Sequence, residues 1–102
     1  MNIATFIRRD GLTPTSFHKR IDQRIYRVSE PVLDGFDHVL VSAVEIYDRT
    51  RPSGTFKETM IFACDADGND SFLTVLDPMM GVFDHDAALR QIGCVPLYPV
   101  CG

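Results

Sequence analysis

The sequence predicts an α+β domain, an antiparallel sheet of about four strands with a short C-terminal helix packed on one face. Three observations carry this prediction: a Val- and Ile-rich stretch from His38 to Asp48, two further strand-like runs joined by turn formers, and a capped apolar stripe after Asp84. With 102 residues, 45% hydrophobic and 24% charged, the chain has the size and composition of one folded domain covering residues 1–102.

Four segments have the pattern of strands. His38 to Asp48 carries apolar side chains at alternating positions on both faces, as in a central strand. Lys57 to Asp65 and Ser71 to Asp77 alternate in the same way, and DADGN between them is typical of a hairpin turn. We expect Pro78 to end the third strand, because proline cannot donate a hydrogen bond to a ladder. Gln23 to Val28 is the fourth predicted strand.

The predicted helix begins after Asp84, a good N-cap, and ends near Gly93. Ala88, Leu89 and Ile92 form its apolar stripe, which we expect to pack on the sheet. The tail that follows contains two prolines, which limits it to an edge strand or an extended arm.

The segment from Thr13 to Ile21 has two interpretations. Phe17, Ile21 and Ile25 recur every fourth residue, which favours a helix, while the second half of the segment is also compatible with extended structure.

Charge is segregated along the chain. Residues 1–27 contain six basic and two acidic residues, whereas residues 28–102 contain four basic and twelve acidic ones. The basic segment is either an arm that packs on the acidic body or a separate binding surface. We expect it to pack, because four well-spaced apolar residues are more than a disordered basic arm carries. These four are Phe17, Ile21, Ile25 and Tyr26.

Two sets of residues are candidates for binding. The loop RTRPSGTF contributes two arginines at an exposed tip, and acidic residues outside the core could imitate the phosphates that a partner's basic channel recognises. The predicted partner-binding residues are Arg49, Arg51, Glu45, Asp48, Glu58, Asp65, Asp67 and Asp70. The alternative is nucleic-acid binding through Arg8, Arg9, Lys19, Arg20, Arg24 and Arg27, interleaved with aromatic residues.

Catalytic, metal and cofactor sites are not expected. Asp65, Asp67 and Asp70 lack the glycine and glutamate positions of an EF-hand loop, and the histidines are too far apart for a local ligand pair. We expect reduced cysteines; the alternatives are a bond between Cys94 and Cys101 or one between chains. The absence of a spanning apolar run or a signal peptide predicts a cytoplasmic protein without membrane contact.

Three stretches of the chain resemble small uncharacterised bacteriophage and prophage proteins. These are the HVLVSAV strand from His38 to Val44, the ETMIFACDADG hairpin from Glu58 to Gly68, and the DHDAALRQIG helix from Asp84 to Gly93. Because the shared motifs are structural, the resemblance implies a fold and a genomic setting and transfers no catalytic residue.

These observations favour a non-enzymatic protein-binding module of phage or mobile-element origin. It would inhibit or modulate a host nucleic-acid-processing complex, as anti-CRISPR proteins do, with a host protein as its partner. The alternatives are a nucleic-acid-binding accessory protein that uses the basic N-terminal segment, and a self-assembling structural component.

Overall fold

The computed structural model describes residues 1–10 and 15–99. For residues 10 and 70–75 it describes the backbone only. Six strands form one sheet in the order β5-β4-β3-β2-β1-β6. All neighbouring strands are antiparallel except β1 and β6, which are parallel. The elements are β1 Asn2–Asp10, β2 His18–Val28, β3 His38–Tyr47, β4 Thr55–Cys64, β5 Asp70–Met80, α1 His85–Gln91 and β6 Cys94–Leu97.

The predicted fold class is wrong. The sheet has six strands, it is mixed, it curls, and it is accompanied by one helix of seven residues. One strand, β1, was missed, because it lies in a segment whose paired arginines interrupt the apolar alternation. The tail forms the edge strand β6, one of its two predicted alternatives, and this strand contains Pro96 and is only four residues long.

Helix α1 packs on one face of the sheet, and the main core lies between them. The fully buried residues of this core come from the helix and from the strands below it. The buried threonine Thr59 joins the start of the helix to β4, since its hydroxyl donates to the Val82 carbonyl at 2.7 Å and accepts from the Asp84 N–H. The core residues are Ala4, Tyr26, Val28, Val39, Val41, Ile61, Ala88, Leu89 and Cys94.

The helix boundaries follow the sequence signals. The Asp84 carboxylate accepts a hydrogen bond from the Ala87 N–H at 3.1 Å, as an N-cap does. Gly93 has a φ of +83° directly after the helix C-cap, a conformation that glycine adopts without strain. The predicted helix and its N-cap are therefore confirmed.

A smaller core lies on the opposite face of the sheet, where Ile25, Leu40 and Cys64 are buried. The sheet curls so far that the β4–β5 turn reaches β1, where the Arg8 guanidinium donates to the Ala66 carbonyl at 3.2 Å. A side chain at Gly68 would come within 3.1 Å of Ile25. The turn therefore covers this small core.

The basic N-terminal segment is part of the sheet. Ile25 and Tyr26 are buried, which confirms their predicted core role, and Ile21 is half-buried. Phe17 is 76% exposed, so its predicted core role is wrong. The extended alternative is correct from His18 onward, where β2 begins, and Thr13 lies outside the described residues.

Pro78 does not end its strand. β5 continues to Met80, and one extra residue is accommodated where Asp77 adopts a φ of +37°. This irregularity is a β-bulge on an edge strand, the position where a sheet tolerates a proline. The prediction that the strand ends at Pro78 was wrong because β5 is an edge strand that pairs only with β4, so the missing N–H of the proline breaks no second ladder.

Candidate functional site

Acidic side chains collect at one end of the sheet, which we term the acidic end. It is formed by the β2–β3 connection, residues 29–37, and the β4–β5 turn, residues 65–69. These two stretches contain five carboxylates and no lysine or arginine. The carboxylates belong to Glu30, Asp34, Asp37, Asp65 and Asp67.

Strand register brings the two connections together. Asp37 precedes His38, which pairs with Cys64, and Cys64 in turn pairs with Asp70 on β5. Neighbouring strands lie about 4.8 Å apart, so the backbone positions of residues 37, 65 and 70 follow one another across three adjacent strands. Acidic residues far apart in the chain therefore share one edge of the molecule.

Two of these carboxylates, Asp65 and Asp37, are held in place by local contacts. The Asp65 carboxylate accepts from the N–H groups of Asp67 and Asn69, both at 3.0 Å. The hydrogen bond with His38 at 2.7 Å lowers the pKa of Asp37. The carboxyl groups of Asp34 and Asp67 are exposed. The acidic end therefore presents preformed negative charge to solvent at neutral pH.

The opposite end of the sheet, the basic end, is formed by the β3–β4 hairpin and the start of β2. Glu45 is buried there and accepts from Arg20 Nε and from the Thr55 hydroxyl, each at 2.8 Å. The Thr55 hydroxyl and Arg20 lower the pKa of Glu45 despite its burial. The Arg20 guanidinium also stacks on Phe83, 3.7 Å from the ring centroid. These contacts hold the Arg20 side chain in the fold, where it neutralises Glu45.

The hairpin tip is ordered by Asp48. Its carboxylate accepts from the N–H and the hydroxyl of Thr50, and Arg51 lies 3.4 Å away. The hydroxyl and N–H of Thr50, followed by Arg51, lower the pKa of Asp48. Arg51 also covers the Phe56 ring at 4.7 Å. The recognition loop predicted from the sequence is thus a self-stabilised hairpin.

A partly buried polar cluster joins the sheet to the helix, with Tyr26 fully buried and Tyr98 40% exposed. Burial opposes ionisation of Asp22, but the hydrogen bond and charge of Arg24 outweigh it and lower the pKa of Asp22. Burial raises the pKa of Tyr26, whose hydroxyl lies 2.9 Å from that of Tyr98. Tyr98 in turn donates to the Asp86 carboxylate. This cluster fastens the segment after β6 to the helix and to β2.

Neither predicted set of site residues forms one surface. Asp65 and Asp67 lie at the acidic end together with the backbone position of Asp70. The other predicted partner-binding residues lie toward the basic end: Arg49, Arg51, Glu45, Asp48 and Glu58. The hairpin residues Asp48, Arg49 and Arg51 are separated from the β4–β5 turn by the whole of β4, which is ten residues long, about 33 Å at the rise of a β-strand. Glu58 lies on β4, in its half nearer the hairpin.

The basic residues of the N-terminal segment are divided between the two faces of the sheet. Strand alternation places Arg20 and Arg24 on the helix-covered face and Arg27 on the other. The same pairing rule puts Arg9 beside Arg24, and Arg8 beside Ile25 on the opposite face. Lys19 is the extra residue of a β-bulge in β2. The segment therefore offers no continuous basic stripe.

The sequence prediction missed three residues of the acidic end, Glu30, Asp34 and Asp37. The signal was present, since the stretch SEPVLDGFD has three acidic residues and no basic one between two predicted strands. Only the register of β3 with β4 shows that this stretch and the DADGN turn share an end.

The histidines and cysteines have mainly structural surroundings. The buried His85 contacts the Asp22 carbonyl oxygen through Nε2 at 2.8 Å, and burial lowers its pKa. Cys64 and Cys94 are buried, and Cys101, with its suggested pairing, lies outside the described residues. Among residues 1–10 and 15–99, no group of three or more His, Cys, Asp or Glu could hold a metal ion.

No protein-family model, curated protein or solved structure matches this chain. Within the described part of the chain, no helix is long and apolar enough to cross a membrane.

Proposed function

We propose that this chain is a non-enzymatic protein-binding module that docks its acidic end on a basic surface of a host nucleic-acid-processing complex. The partner surface is one that normally holds nucleic-acid phosphates, so occupation by the module blocks or modulates the complex. The resemblance of the sequence motifs to phage proteins supports an inhibitor of the anti-CRISPR kind that acts in the cytoplasm of a bacterial host.

One observation carries the proposal: five carboxylates on two adjoining connections that contain no lysine or arginine. Elsewhere, Asp22, Glu45 and Asp48 each have an arginine partner within the described chain. Within the described chain none of the five acidic-end carboxylates forms an ion pair with a lysine or arginine, although Arg8 reaches the Ala66 carbonyl at 3.2 Å and Arg27 lies close enough to act on Asp37. The excess of negative charge at this end steers a basic partner and penalises acidic ones.

The surroundings of the histidines also support a binding role. His38 contacts Asp37, His85 contacts a backbone carbonyl, and His18 Nδ1 lies 2.7 Å from the Thr15 hydroxyl. The Thr15–His18 contact spans three residues of an exposed turn, where water competes for both groups. A general base needs a nucleophile held in a shielded site with an orienting group.

The test is capture from a bacterial lysate by the immobilised full-length chain, followed by elution with double-stranded DNA. We expect the captured protein to be released by DNA, because both ligands occupy one basic surface. Asp34→Asn with Asp67→Asn should abolish capture, because it removes two of the five negative charges of the acidic end. Both side chains are exposed, so the fold should be unchanged.

The matched control is Asp48→Asn with Glu58→Gln, which removes the same charge from the other end of β4. It should capture the protein as the unmodified chain does. Capture that DNA does not reverse, equal loss in both double variants, or no capture at moderate salt would each overturn the proposal.

A further inference from the structure

A cleft of about 580 Å³ opens at the basic end, beside the β3–β4 hairpin. It lies at the far end of β4 from the acidic end, and it plays no part in the function proposed above. The lining residues that matter here are Lys19, Glu45, Arg51, Thr55 and Lys57.

The carboxylates in and beside this cleft are already matched by arginines. Both oxygens of Glu45 are occupied, one by Arg20 Nε and the other by the Thr55 hydroxyl. Asp48 holds Arg51 at 3.4 Å. These pairs add no net charge to the cleft.

The two lysines of the cleft, Lys19 and Lys57, form no ion pair with a carboxylate of the described residues. Lys57 lies directly opposite Glu45 in the β3–β4 register and is half-buried, yet no carboxylate of the described residues lies within ion-pair distance of it. Lys19 is directed to the same cleft by the bulge in β2, and its charge is close enough to favour ionisation of Glu45. Lys57 is half-buried and Lys19 is exposed, so a bound anion would gain most from Lys57, whose side chain has the less complete hydration, with Lys19 adding a second positive charge.

We propose that this cleft binds a phosphate group, with Lys19 and Lys57 as its charge partners and Arg51 at the rim. Two ammonium groups match the charge of about −1.5 to −2 that a phosphate monoester carries at neutral pH, whereas a carboxylate would balance only one of them. The volume is within the range of about 300–1,000 Å³ that suits a nucleotide-sized ligand. The phosphate can belong to a free nucleotide or to a nucleic-acid backbone.

The test is a titration of the full-length ¹⁵N-labelled protein, followed by amide NMR shifts at constant ionic strength. The probes are inorganic phosphate, adenosine monophosphate and a ten-nucleotide single-stranded DNA without a terminal phosphate. We expect saturable shifts centred on Lys19, Thr55 and Lys57. Monoester binding as tight as or tighter than that of the oligonucleotide assigns a nucleotide site, and tighter oligonucleotide binding assigns a backbone site.

Lys19→Gln with Lys57→Gln should weaken binding of the best probe at least tenfold. Arg27→Gln with Arg90→Gln removes the same charge at exposed positions outside the cleft and should change affinity less than twofold. Unchanged amide spectra away from the substitutions verify the fold of each variant. Shifts that never saturate with any probe, or equal weakening in both double variants, would refute the site. Asp34→Asn with Asp67→Asn should leave this binding unchanged, so this test is separate from that of the acidic end.

Discussion

Replacement of Tyr98 by phenylalanine probes the cluster that fastens the chain after β6. The Tyr98 hydroxyl contacts the Tyr26 hydroxyl at 2.9 Å, the Asp86 carboxylate, and Arg24 Nη1 at 3.4 Å. Phenylalanine keeps the ring contacts with Phe6 and Tyr26, whose centroids lie 5.7 and 6.1 Å away. Only the hydrogen bonds are lost.

The expected cost is worked out from burial. A hydrogen bond to a charged group contributes about 1.5–3 kcal/mol, and a buried hydroxyl left without a partner costs about 1–3 kcal/mol. Tyr98 is 40% exposed, so water replaces part of its bonding to Asp86, whereas Tyr26 is fully buried. We expect a loss of about 2 kcal/mol for Tyr98→Phe and about 1 kcal/mol for Tyr26→Phe.

The double variant should lose only about 2 kcal/mol, because removal of both hydroxyls leaves none unsatisfied. Urea unfolding of the four proteins, followed by circular dichroism, gives the coupling, which we expect to be about 1 kcal/mol. Tyr47→Phe is the control. Tyr47 is 60% exposed, so loss of its hydroxyl should change the free energy of unfolding very little. Costs that add to within about 0.4 kcal/mol would refute the reasoning.

Three further predictions concern the fold. Asp84→Ala removes the N-cap and should cost about 0.5–2 kcal/mol in urea unfolding, whereas Asp84→Asn should cost less; equal costs would contradict the capping role. Because burial lowers the pKa of His85, stability should be full above its unfolded value of about 6.5 and should fall as pH drops toward the lower folded value. His85→Gln should show a smaller loss between pH 7.5 and pH 5 by urea unfolding, and an identical loss would exclude His85 as the cause. A chain starting at Val28 should not melt cooperatively by calorimetry, since it lacks β1 and most of β2, with buried side chains such as Ile25 and Tyr26 contributing about 1.5–3 kcal/mol each. A melting temperature equal to that of the full chain would contradict the central place of these strands.

The sequence predicted the elements whose signals are local. The alternation from His38 identified β3, and Asp84 with Gly93 marked the helix. β1 and its parallel pairing with the edge strand β6 were not predicted, because that pairing is non-local, with Asn2 beside Cys94 at the opposite end of the chain. No property of a four-residue segment containing Pro96 specifies a parallel neighbour ninety residues away.

The site could be predicted in part. Asp65 and Asp67 are recognisable as exposed acidic residues from the DADGN turn alone. Their neighbours Asp34 and Asp37 were not, because the two connections meet only through the pairing of His38 with Cys64. Glu45 was predicted as a binding residue outside the core, but it is buried and paired with Arg20. That pairing depends on the β2–β3 register, which the sequence does not show. The sequence shows which residues are charged, but it does not show which of them form ion pairs in the folded sheet.

The central claim is that the acidic end contacts the partner. Its most direct test is zero-length carboxyl-to-amine cross-linking of the purified complex between the full-length chain and its captured protein, read by mass spectrometry. We predict cross-links from Glu30, Asp34 and Asp67 to lysines of the partner's nucleic-acid-binding surface. Cross-links confined to the basic end, from Glu58 or from Lys19 and Lys57 to partner carboxylates, would contradict the claim.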